Sequence, residues 1–68
     1  MARKMQEIKR ETFSTDEEFV DALIGTFSAL MQNVAQRNRA SAIALVREGW
    51  NEEIVRLELM SNFVIPVT

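Results

Sequence analysis

Asp16, Glu17, Glu18 and Asp21 stand close together, with the hydroxyls of Ser14, Thr15, Thr26, Ser28 and Ser41 before and after them. Clustered oxygens are the ligands of hard cations, and paired carboxylates are the tools of acid–base catalysis. The rest of the chain gives such chemistry little help. It has no His, no Cys and no Tyr, so the common general base and the best nucleophile are missing and no partner is at hand to activate a hydroxyl. Gly25 and Gly49 each stand alone within helical pattern, which is not the arrangement of a phosphate-binding loop. Helix capping is a simpler use for the acids. The expectation is a protein without catalysis, metal or cofactor.

That use is written in Ser14-Thr15-Asp16-Glu17-Glu18. Ser14 or Thr15 can accept from an orphan amide of a first turn, and Glu17 or Glu18 can reach back as the capping-box partner. The acids also sit at the positive end of the helix dipole. Phe13, just before the cap, is placed to staple onto Phe19 or Val20. From there Val20, Leu23, Phe27, Leu30 and Val34 recur at three- and four-residue steps, and Phe19, Ile24, Met31 and Ala35 widen the apolar face. This pattern predicts a helix over about 15–36 with Leu30 at the centre of its seam.

Gln36-Arg37-Asn38-Arg39 interrupts the apolar pattern and reads as a turn. A second helix is expected over about 40–62, where Ile43, Val46, Trp50, Ile54 and Leu57 keep one phase. Glu52 and Arg56 stand four apart in the favourable order for an ion pair. Gly49 and Asn51 offer a kink at 49–51, while the unbroken phase carries one helix through. Pro66 ends helical geometry, leaving Phe63 to Val67 as an apolar, extended tail. Residues 1–13 read as an extended arm. The predicted fold class is all-α: a two-helix hairpin with arm (1–13) and tail (63–68), one small domain over residues 1–68.

A chain of 68 residues has a small core worth only ~3–5 kcal/mol, and such scaffolds usually gain a disulfide, a metal or a second subunit. Without Cys or His, self-association remains. The apolar face of 19–35 also spans more than half a helix's circumference, more than one short chain can cover. A homodimeric bundle is therefore expected. Hydrophobic residues make up 47% of the chain, too many for a disordered protein. The apolar run Phe19 to Met31 is too short to cross a bilayer and carries Asp21. Arg3 and Lys4 are followed by Glu7, Lys9, Arg10 and Glu11 where a signal peptide would be apolar. A cytoplasmic protein away from the membrane is expected.

Charge alternates along the chain. Arg3, Lys4, Lys9 and Arg10 outweigh Glu7; Glu11 to Asp21 is wholly acidic; Arg37, Arg39 and Arg47 form a second basic group. Arginines around a turn are ordinarily solvated, but their planar forks also suit bidentate recognition of acidic or nucleic-acid partners. Trp50 lies in phase with the seam, which favours packing, and its other role is that of a binding anchor. The tail residues Phe63, Val64 and Ile65 have no regular element obliging their burial. Arg37, Arg39, Arg47, Trp50, Phe63, Val64 and Ile65 are the candidate contacts to a larger protein partner.

A short arm, a capped helix and then Arg39-Ala40-Ser41-Ala42-Ile43-Ala44-Leu45-Val46-Arg47-Glu48-Gly49 resembles the second half of a ribbon-helix-helix repressor. The resemblance implies an intertwined dimer that reads the major groove with a paired strand. Gln6, Ile8 and Arg10, or else Glu7 and Lys9, would then face the groove, and Arg3, Lys4, Lys9 and Arg10 would meet nucleic acid. The first helix is longer than that pattern has, the turn lacks its glycine, and Glu7 and Glu11 fall on the strand. The reading taken forward is a small regulator, inhibitor or adaptor that binds protein through helical faces. A DNA-binding regulator and a structural assembly subunit are its alternatives.

Overall fold

The computed structural model describes residues 8–61. They form a 3-10 turn (Arg10–Thr12) and four short helices: α1 (Asp16–Gly25), α2 (Ala29–Arg37), α3 (Arg39–Arg47) and α4 (Glu52–Leu59). The described chain is all-helical, without a strand.

α1 starts where its cap dictates. Thr15 Oγ1 accepts from Glu18 N at 3.1 Å, and Glu18 Oε1 accepts from Thr15 N at 3.2 Å. Phe13 tilts against Phe19 with ring centroids 6.1 Å apart, fixing the entry of the chain as a staple does. The end of the arm is therefore not extended and loose. It winds through the 3-10 turn, with Ile8 and Phe13 packed on the core. Residues 1–7, with Arg3 and Lys4, and residues 62–68, with the tail, lie outside the described residues.

Each of the two long helices of the expected hairpin is broken into two. The first break falls at Thr26–Ser28. Thr26 Oγ1 donates to Leu23 O at 2.7 Å, and the amides of Thr26 and Phe27 tighten onto Leu23 O and Ile24 O, both at 3.0 Å. Hydroxyls compete with the helical ladder in this way. Ser28 then caps a new helix, accepting from Met31 N, while Gln32 Nε2 donates to Phe27 O at 3.0 Å. The second break is at 48–51, where the unbroken apolar phase predicts one continuous helix and the structure has two. Gly49 takes φ +92°, a left-handed conformation that glycine adopts without a Cβ penalty. Gly49 N donates to Val46 O at 3.0 Å and Trp50 N to Leu45 O at 3.1 Å, the paired bonds of a Schellman stop. Asn51 Oδ1 accepts from Ile54 N at 3.0 Å and starts α4.

Breaking a helix resets the phase of everything after it. Leu30, expected at the heart of the seam, is 64% exposed, because the new start at Ser28 turns Ala35 inward instead. Leu57 is likewise 60% exposed, with Val55 and Leu59 fully buried. The core joins Phe19, Val20, Leu23 and Ile24 of α1 to Ala35, Ala42, Ile43, Val55 and Leu59. α3 packs against both α1 and α4, and α2 against α4. Arg56 pins α4 to the α1–α2 turn. Its Nε donates to Glu52 at 2.6 Å, as the spacing predicts, its Nη1 donates to Thr26 Oγ1 at 2.9 Å, and its guanidinium lies 6.0 Å from the Phe27 ring centre.

The expected turn at 36–39 contracts to Asn38, which is buried. Its Nδ2 donates to Leu59 O at 3.1 Å and Ser61 O at 2.7 Å, with a longer reach of 3.4 Å to Val34 O. One side chain thus joins the α2–α3 corner to the carbonyls ending α4. Asn38→Ala strands those carbonyls and should cost ~1–3 kcal/mol. Leu23→Ala, at a side chain with no exposure, should cost ~2–5 kcal/mol. Chemical denaturation followed by circular dichroism measures both, and Leu30→Ala should cost far less than Leu23→Ala.

Candidate functional site

The N-terminal turn and the α3–α4 connection face each other across an open cleft of about 370 Å³. Ile8, Phe19 and Val46 give it apolar walls, Lys9 and Arg10 border one side, and Gly49 to Glu52 border the other. Trp50 stands at this rim, 51% exposed, its indole N–H donating to Glu48 Oε1 at 3.1 Å. Packing in the second helix's seam is therefore not its role. The Gly49 stop lifts it off the helix into the connection.

The arginines meet acids of the same chain. Arg10 Nε donates to Asp16 Oδ1 at 2.6 Å and its Nη1 to Phe13 O at 2.9 Å. Arg47 Nε donates to Asp16 Oδ2 at 3.2 Å and its Nη2 to Glu17 Oε2 at 2.8 Å. Arg39 grips both oxygens of Asp21, at 2.7 and 3.0 Å. The acidic α1 and the basic segment after it are thus two halves of one seam. Of the expected partner contacts, Arg39 and Arg47 hold α3 to α1. Arg37 is exposed and makes no ion pair with a described residue. Trp50 fronts the cleft, and Phe63, Val64 and Ile65 fall outside the described residues. Of the residues named for nucleic acid, Lys9 and Arg10 border the cleft, Arg10 with its guanidinium engaged.

Sequence reasoning missed the exposure of Leu30 and Leu57. The signal was present in Ser28 and Asn51, each able to cap a fresh helix and so shift the apolar phase. Among the described residues no three His, Cys, Asp or Glu side chains gather as for a metal ion, and no buried side-chain N or O lacks a hydrogen bond. No described helix is long and apolar enough to cross a membrane. Nor do the described residues form the strand that a ribbon-helix-helix resemblance implies. Comparison of the chain with protein families, with curated proteins and with solved structures gives no match. The class that fold and surface define is a small all-helical domain with an aromatic-fronted cleft.

The ion pairs carry a pH signature. Hydrogen bonding from Arg10, then its charge and the contacts of Arg47, hold the Asp16 carboxyl below its ordinary 3.8 against the opposing effect of burial. Arg39 lowers Asp21 in the same way, and Asp21 in turn raises Arg39. A carboxylate with a depressed folded pKa adds stability that is present above its unfolded pKa and is lost as pH falls through the folded one. Urea midpoints should thus be flat near neutrality and drop below about pH 4. Asp16→Asn and Asp21→Asn should each start lower at pH 7 and drop less on acidification.

Proposed function

We propose that the protein acts by binding, as a homodimeric, non-enzymatic regulator, inhibitor or adaptor that docks on a larger protein in the cytoplasm. The observation that carries this reading is the placement of its large apolar side chains. Leu30, Trp50, Leu57 and Met60 stand in solvent on a chain whose small core has every reason to bury them. Single exposed apolar residues are common on monomers. A tryptophan fronting an apolar cleft is a more specific feature, since aromatic anchors beside preformed pockets dominate binding energies.

The charge arrangement favours a protein over a nucleic acid as the partner. Phosphate binding needs cations free to replace counterions, and Arg10, Arg39 and Arg47 are already engaged by Asp16, Glu17 and Asp21. A partner seated in the cleft would bury its own apolar side chain against Trp50, Ile8 and Val46. Peripheral polar groups would then exclude water around it.

Tagged protein used as bait in cell lysate, with and without nuclease, tests the reading when run beside Trp50→Ala. The expected outcome is capture of a protein that survives nuclease and is weakened by ~2 kcal/mol or more in the variant. Circular dichroism should stay within ~0.5 kcal/mol of wild-type stability, as for other exposed substitutions. Capture that vanishes with nuclease, or that ignores Trp50→Ala, argues against this surface.

A further inference from the structure

Two exposed stripes match in length and complement each other in charge. On α2, Leu30, Asn33 and Arg37 share one face, at i, i+3 and i+7. On α4 and its C-cap, Glu53, Leu57 and Met60 share one face, at i, i+4 and i+7. Each stripe spans about 10.5 Å at 1.5 Å per residue. All six side chains are exposed, and neither Arg37 nor Glu53 makes an ion pair with a described residue. They stand out in a chain whose other helical arginines, Arg39, Arg47 and Arg56, are all paired.

We propose that the α2 stripe of one copy docks antiparallel on the α4 stripe of a second copy, setting Leu30 against Met60, Asn33 against Leu57, and Arg37 against Glu53. The proposal rests on the homodimer reading above and names its surface. Antiparallel order is required by the ends. Parallel packing would set Arg37 against Met60 and Glu53 against Leu30, each a charge over an apolar side chain. α2 and α4 of one chain pack together, and a two-fold axis that seats one stripe on the other makes every contact twice. The apolar ends then leave solvent together while the charges pair at the rim, where such pairs set register and partner choice more than affinity. The face is separate from the Trp50 cleft, so a dimer keeps its cleft open to a different protein.

Charge reversal separates this arrangement from its competitors. The test is sedimentation equilibrium at micromolar concentration and low salt, with circular dichroism as the fold check. The wild-type chain should be dimeric. Arg37→Glu and Glu53→Arg should each raise the dissociation constant roughly tenfold or more, since two attractions become two repulsions. The double variant, Arg37→Glu with Glu53→Arg, should return to near the wild-type value. Arg37 closes α2 and Glu53 opens α4, so both also suit the helix dipoles. The double variant carries both dipole costs, so its recovery cannot come from better helices. Leu57→Gln, at a 60% exposed position, should abolish the dimer with helix content intact.

A monomeric wild type overturns the homodimer reading and this surface with it. A wild-type dimer that ignores the single reversals or Leu57→Gln, or that the double variant fails to restore, overturns the surface alone.

Discussion

Asn38 is the constraint on which the rest of the molecule depends. A carboxamide taken out of water loses its solvation, and only well-placed acceptors offset that loss. Here the acceptors are Leu59 O and Ser61 O, carbonyls at the end of α4 that the helix itself leaves without donors. Donor and acceptors therefore satisfy each other across the fold, between positions more than twenty residues apart in the chain. The corner between α2 and α3 has room for only this one residue, so shifting α4 by a single residue would leave both sides unpaired. Apolar packing alone would tolerate such a slip more easily, because it is not directional.

That specificity matters because nothing else about these helices is self-sufficient. They run from eight to ten residues, below the length at which isolated helices hold in water. Their stability comes from side-chain caps at Thr15, Ser28 and Asn51 and from a core shared by all four. The core includes two alanines, Ala35 and Ala42, both with no exposure. Small side chains at those positions let short helices approach closely. The same shortness leaves larger apolar residues outside. With two turns or so per helix, a face can be turned inward only at the expense of the opposite one.

Ion pairing does for α1 and α3 what Asn38 does for α2 and α4. Asp16 accepts from the N-terminal turn through Arg10 and from the end of α3 through Arg47, so one carboxylate joins three elements. These pairs are partly exposed, and exposed pairs contribute modestly to stability. Their larger effect is on surface character. Arg10, Arg39 and Arg47 thus face acids of their own chain, where the linear charge pattern suggests free basic groups. Among the described residues, exposed apolar side chains are the more distinctive surface feature.

The sequence by itself determined what depends on near neighbours in the chain: a capping box within Ser14 to Glu18, a staple from Phe13 onto Phe19 or Val20, the Glu52–Arg56 pair, and the all-helical class of the described residues. Each is a contact whose geometry the local backbone already supplies. The two breaks were half-written, since Thr26, Ser28, Gly49 and Asn51 are all residues that stop or start helices. Continuous apolar phase argued the other way, and tertiary burial of Ala35, Val55 and Leu59 decided between them. Once a helix restarts, a small change of axis re-aims every later side chain, so Leu30, Trp50 and Leu57 moved from expected seam to surface. The arginines' partners were equally out of reach, because Arg39 and Arg47 meet acids eighteen to thirty-one positions away. Such contacts depend on where whole helices come to rest. That is set by the packing of the core as a unit and by no local stretch of chain.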